Sequence, residues 1–138
     1  MASKTPYQPG NLPDMSRLFS WGLKVSDFSE LFFVTGLADM ADDGSGARYP
    51  GDPVAQTRAV LERMDQFIRD NGYSRDHIVR IEWTFRKDVQ EADYPGIYQL
   101  WEDFVAPMAV KPAGGTLRIV ERLAVPDIMV EYELLLAR

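Results

Sequence analysis

The sequence predicts an α+β domain of two layers, with two helices over one face of a sheet. Three observations carry that prediction. Period-two alternation of apolar and polar side chains marks several segments as half-buried strands. Two other segments repeat apolar residues at helical spacing and carry their own start and stop residues. The segments fall in the order β-β-α-β-α-β-β, and a helix with one apolar face must bury it against another layer.

The first strand is predicted over residues 17–25. There Leu18, Ser20, Gly22 and Lys24 alternate with Phe19, Trp21, Leu23 and Val25. The second covers 30–35, with the apolar run Leu31-Phe32-Phe33-Val34, and Gly36 closes it. Ser26-Asp27-Phe28-Ser29 reads as a turn between them, so the two strands are expected to pair as a hairpin. Residues 39–51 form a loop, given its turn formers Asp42, Asp43, Gly44, Ser45, Gly46 and Pro50. Its acidic pair lacks the number and spacing of oxygens that a calcium loop needs.

The first helix has Asp52 as its N-cap, Pro53 at its first position and Asn71-Gly72 at its end. Val60, Leu61, Met64, Phe67 and Ile68 make its apolar face. The third strand, 78–86, alternates Ile78, Arg80, Glu82, Thr84 and Arg86 with Val79, Ile81, Trp83 and Phe85. The second helix is predicted over 93–105, with Asp93 as cap, Pro95 in the first turn and Pro107 beyond the end. Ile97, Leu100, Trp101, Phe104 and Val105 are its apolar residues. Strands at 115–122 and 128–137 finish the domain.

The sheet face away from the helices then carries Arg80, Glu82, Thr84, Arg86, Glu131 and Glu133, and with them large aromatics of the first strand. A mixed apolar and charged face of that extent predicts self-association that covers it, with sites at the subunit junctions. Residues 1–15, with three prolines and one lysine, read as an N-terminal arm, and residues 16–138 as one domain.

Composition removes several chemistries. The chain has 138 residues, no cysteine and one histidine, His77. Thiolate catalysis, zinc-thiolate sites and an all-histidine metal site within one chain are excluded. Neither a metal nor a cofactor is implied. The 15 basic against 21 acidic residues give a net charge of −6, which argues against nucleic acid as a partner. No apolar run reaches the roughly 18 residues of a membrane span or forms a signal peptide, so a cytoplasmic location is expected.

Several local patterns, in order and spacing, resemble the Rid family, the RidA/YjgF-type enamine/imine deaminases. Phe33-Val34-Thr35-Gly36 resembles the family's F-[VI]-[ST]-G strand end. Gln56-Thr57-Arg58 with Val60-Leu61 resembles its QTR–VL helix start, and His77-Ile78-Val79-Arg80 its D-[IV]-V-K strand start. Pro112-Ala113 resembles the beginning of P-A-R-[ST], and Val130-Glu131-Tyr132-Glu133 the closing [VI]-E-I-E strand. The resemblance covers the chain from Phe19 to Arg138. It implies a chorismate-mutase-like fold, a homotrimer, and small-molecule clefts between subunits. It also implies hydrolysis of a C=N bond, with an arginine of the P-A-R motif holding the substrate carboxylate. Glu131 takes the role of the water-activating carboxylate, and Thr35 with Gly36 completes the pocket.

The chain departs from the pattern at that arginine, whose position is occupied by Gly114. Losing a bidentate, charge-assisted contact costs on the order of 1.5–3 kcal/mol. The first-strand tyrosine of the family is replaced by Phe19, and the helix-two asparagine by Tyr98. Two functions follow. One is a deaminase-type hydrolase with a substrate outside the usual 2-iminoacids, in which Arg118, Arg80 or Arg86 supplies the cation and Gly114-Gly115 leave room for a larger molecule. The other is a non-catalytic trimeric binding or pathway accessory protein. A ribonuclease is disfavoured by the acidic charge and the lack of a histidine pair.

Each residue also has a plainer role. Glu131 is otherwise a carboxylate paired with a sheet arginine, and Glu133 is read as structural. Gly114-Gly115 is a turn before a strand or an anion-accepting backbone nest. Arg80 and Arg118 are solvated or salt-bridged groups. Trp21, Trp83 and Trp101 are core or interface anchors, with Trp21 and Phe19 as candidate pocket walls. His77 is a surface residue.

Overall fold

The computed structural model describes residues 2–138. Six strands and two α-helices appear among them: β1 (Ser3–Tyr7), β2 (Gly22–Ser26), β3 (Leu31–Leu37), α1 (Pro53–Asp70), β4 (Ile78–Arg86), α2 (Tyr94–Val105), β5 (Ala113–Val120) and β6 (Val130–Ala137). Four strands form one sheet in the order β3-β6-β4-β5. β6 is antiparallel to both neighbours, whereas β4 and β5 are parallel. A parallel pair needs a long crossover, and α2 supplies it.

The expected hairpin between the first two strands does not form. β2 pairs with β1 of the arm in a separate ribbon, Ser3 opposite Ser26 and Tyr7 opposite Gly22. Its strand is also shorter than residues 17–25. Residues 17–21 instead run beside β5, where Ser20 N–H donates to the Pro112 carbonyl at 2.9 Å. Alternation fixes which side chains share a face but says nothing about the partner strand. Asp27, at φ 57°, turns the chain away after β2.

Both helices lie on one face. α1 starts as its sequence dictates: the Asp52 carboxylate accepts from Ala55 N–H at 3.0 Å, and Pro53 fills the first position. Asp93 does not cap α2 with its side chain. It closes a 3₁₀ turn over residues 91–93 and accepts from Gln90 N–H at 3.3 Å. Between helices and sheet, Val60, Met64, Ile68, Ile81, Phe85, Ile97, Trp101, Tyr132 and Leu136 are buried. Trp83 joins Tyr98, Trp101 and Tyr132 with ring centroids 5.4–5.8 Å apart. The contacts with Trp101 and Tyr132 are edge-on and that with Tyr98 is tilted, and they add to the stabilisation from burial.

Buried polar side chains clip the loops to this core. Gln56 donates to the carbonyls of Tyr49 and Asp127 and accepts from Met129 N–H, all within 3.0 Å. The residue that opens the QTR pattern therefore joins three chain segments. Thr57 meets the Tyr132 hydroxyl at 2.9 Å. Asp39, fully buried, accepts from Arg48 and from Tyr49 N–H and pins the 39–51 loop. Asp42 and Asp43 of that loop belong to no group of three or more carboxylates or histidines placed to hold a metal ion, and no such group occurs among the described residues.

Candidate functional site

The sheet face away from the helices shows in register what alternation predicts. Phe33, Leu135 and Arg80 form one row, Glu133 and Glu82 the next, and Glu131, Thr84 and Arg118 the third. Phe33 is 72% exposed at its edge. It is the large aromatic of this face. The first-strand aromatics expected here lie elsewhere, because residues 17–21 pack along β5.

Glu82 organises the middle of the face. Arg80 Nε donates to its Oε1 at 2.8 Å and Arg118 Nη1 to its Oε2 at 2.9 Å. Burial pushes the Glu82 carboxyl up, but the hydrogen bonds and charges of Arg80 and Arg118 outweigh it and hold the group below the usual carboxylate range. Arg86 is bound by Asp88 at 2.6 and 2.8 Å. All three arginines expected to face a substrate are thus paired with this chain's own carboxylates. Alternation places Glu82 on this face; that it bridges Arg80, two residues before it, to Arg118 of the neighbouring strand follows only from the β4–β5 register.

None of those arginines pairs with Glu131. Its half-buried carboxylate lies against Gly36, where a Cβ would collide with it. The bare Cα of Gly36 is what admits it there. Burial, and next the charge of Glu133, raises the Glu131 carboxyl above the ordinary glutamate range. Its reading as an arginine-paired carboxylate fails here. Thr35 opens on a neighbouring hollow of about 480 Å³, shared with Phe33, Arg80, Glu82 and Glu133. Glu133, read as structural, lines that hollow together with Thr35.

The other predicted residues gather at the β5 edge. Phe19, Tyr98 and Gly115 line a hollow of about 380 Å³ with Met15, Arg17, Leu18, Trp83, Glu102 and Leu117. Burial raises the Tyr98 phenol, so it stays protonated. Trp21 does not line this hollow. Its indole donates to the Pro13 carbonyl at 2.8 Å, and its ring stands edge-on to Phe19 at 5.2 Å.

Gly114 and Gly115 form neither a turn nor a nest. Both lie within β5, and neither adopts a positive φ. The space above them is already filled by this chain. A side chain at 114 would begin 3.0 Å from Phe19 Cγ, and one at 115 would run into the Glu82 carboxylate. The glycines therefore admit Phe19 and Glu82 and leave no added room for a ligand. Gly114→Arg is accordingly expected to lower stability by about 1–3 kcal/mol, with part of the loss recovered by adding Phe19→Ala. Urea unfolding of the single and double variants measures both.

No family model and no curated protein matches the chain. Solved structures do. A protein of unknown function of the conserved Rid protein family, YyfB from Yersinia pestis, superposes with a TM-score of 0.84 over 98% of both chains, at 19% identity. The chain has the Rid fold. A second Rid-family protein from Yersinia pestis, YyfA, covers 99% of this chain and 100% of its own at a TM-score of 0.67 and 19% identity. TdcF from E. coli, solved with bound serine, covers 87% of each chain at 0.64 and 20%. The Rid fold is the two-layer α+β architecture that the element order predicts.

Two clusters thus stand on one Rid-fold chain. Thr35, Gly36, Glu131, Arg80 and Arg118 belong to the open sheet face, and Phe19, Tyr98, Gly114 and Gly115 to the β5 edge.

Proposed function

We propose that this chain is a Rid-family hydrolase that deaminates an enamine, imine or related nitrogen compound. The observation that carries the reading is Glu131: a half-buried carboxylate held over Gly36, raised in pKa and joined to none of the arginines of its face. Such a group accepts a proton near neutral pH better than an ordinary glutamate. Water adds to the C=N carbon as Glu131 takes its proton. The resulting carbinolamine collapses to a carbonyl and ammonia, and the proton returns to the departing nitrogen. Thr35 contributes a hydroxyl beside the site.

In this reading the open sheet face is covered by other copies of the chain in a homotrimer. Its exposed Phe33 favours burial against another apolar surface. The cleft then lies at a subunit junction, in a cytoplasmic protein. Usual 2-iminoacids are poor substrates, because Gly114 offers no guanidinium and Arg80 and Arg118 are held by Glu82. That same pairing favours a second reading, a trimeric binding or accessory protein that kept the fold without the reaction.

Ammonia release from freshly generated 2-aminoacrylate and from bulkier imines tests both. The expected result is slow release from 2-aminoacrylate and faster release from a bulkier imine. The rate should rise with pH through a midpoint above the ordinary glutamate range, since the ionised carboxylate is the base. No release from any imine leaves the accessory reading. Fast release from 2-aminoacrylate refutes the altered specificity.

A further inference from the structure

The end of α1 carries chemistry that the sheet faces do not. Asparagine occurs in the chain as Asn11-Leu12 and as Asn71-Gly72. In an Asn-Gly pair the glycine nitrogen is open to attack on the asparagine side chain, because no Cβ on the second residue shields it. Leu12 shields its own nitrogen in the other pair. Asn71 and Gly72 are both exposed and close the C-terminus of α1. Gly72, at φ 80°, is the left-handed residue that ends the helix.

This cap holds both reacting nitrogens. Gly72 N–H, the nucleophile, donates to the Arg69 carbonyl at 3.0 Å. Asn71 Nδ2, the leaving group, donates to the Phe67 carbonyl at 2.9 Å. Asn71 has ψ 10°, and closing a five-membered imide requires that torsion to turn far from this value. Behind the cap, Tyr73 N–H donates to the Ile68 carbonyl at 2.9 Å, and Arg138 Nη1 donates to the Gly72 carbonyl at 2.8 Å. The reaction therefore waits until the last turn opens. A helix end with exposed hydrogen bonds is among the first parts of a fold to do so.

We infer that Asn71 is a site of spontaneous covalent modification, gated by the last turn of α1. When the turn opens, the Gly72 nitrogen loses its proton and bonds to Asn71 Cγ. The Cγ–Nδ2 bond breaks, and Nδ2 departs with a proton as ammonia. Water then opens the succinimide at either carbonyl and leaves aspartate or isoaspartate at position 71. Water is the co-reactant, and nothing is oxidised or reduced. Neither product restores the cap. An aspartate has no donor for the Phe67 carbonyl, and it sets a negative charge at the negative end of the helix dipole, beside Asp70. An isoaspartate inserts one methylene into the main chain, which carries Gly72 and Tyr73 off Arg69, Ile68 and Arg138. Tyr73 stacks on Phe32 with ring centroids 4.9 Å apart, so the change reaches the start of β3. The inference stands apart from the proposed reaction at Glu131.

Incubation of the full chain in mildly alkaline buffer, followed by tryptic mapping, reads the mass gain of an amide becoming an acid in peptide 70–75. The folded chain should form the product at least about tenfold more slowly than the same chain in concentrated urea. Arg138→Ala removes the donor to the Gly72 carbonyl. It should speed the folded reaction about three- to tenfold and leave the rate in urea unchanged. Circular dichroism checks that this variant stays folded. Isoaspartate is read by enzymatic methyl labelling, located in the same peptide because Asp43-Gly44 can form the same imide without a change of mass. Asn71→Ser should abolish both signals from the peptide. Asn71→Asp, which reproduces one product, should lower the thermal midpoint. A folded chain that forms no product overturns the inference, as does one that reacts as fast as the unfolded chain. So does a folded Arg138→Ala chain that reacts at the parental rate, because the turn would then not be the gate.

Discussion

Glu131→Gln is expected to reduce ammonia release from the true substrate by about 10²- to 10⁴-fold. The amide keeps the size of the side chain and its place against Gly36, so the fold is undisturbed. It removes the proton acceptor alone. It also removes one of two neighbouring negative charges, since Glu133 contributes to raising the Glu131 carboxyl. The variant should therefore be no less stable than the parent, and its thermal midpoint equal or slightly higher. Retained turnover would mean that another group activates water, and Glu133, which shares its hollow with Thr35, would be the one to replace next.

Trp101→Ala is the largest stability change the structure predicts, about 3–5 kcal/mol. The indole is 1% exposed and touches Trp83 and Phe104 with centroids 5.4 and 5.5 Å away. Its removal leaves a cavity between α2 and the sheet. It also orphans the Leu18 carbonyl, which now accepts from Trp101 Nε1 at 2.7 Å. That bond fastens residues 15–19, one wall of the β5-edge hollow, to α2. Urea unfolding should register the stability loss. Trp101→Phe keeps much of the volume and loses the donor, so a smaller stability loss is expected, and its size reports the contribution of the hydrogen bond to Leu18.

What the sequence makes legible is local. The Asp52 cap with Pro53, the alternation of 78–86 and the apolar faces of both helices all recur in the structure, because each rests on residues a few positions apart. Partnership is not local. Residues 17–25 carry a strand pattern, yet nothing in it says that β2 pairs with Ser3–Tyr7. The same limit holds for the site. Gly114 is visible as a departure from the family pattern. That Phe19 occupies the space above it depends on where the chain before β2 is laid down. Arg80 and Arg118 are visible as cations on one face, but their shared acceptor appears only when β4 and β5 are set side by side.

The contact between Phe19 and Gly114 also orders the routes by which this sequence can change. A larger residue at 114 is tolerated only after position 19 has become smaller, whereas the shrinkage at 19 comes first without a clash. The two sites are epistatic, and one order of substitution passes through a poorly packed intermediate. An arginine at 114 is thus accessible to this chain only through a smaller residue at 19.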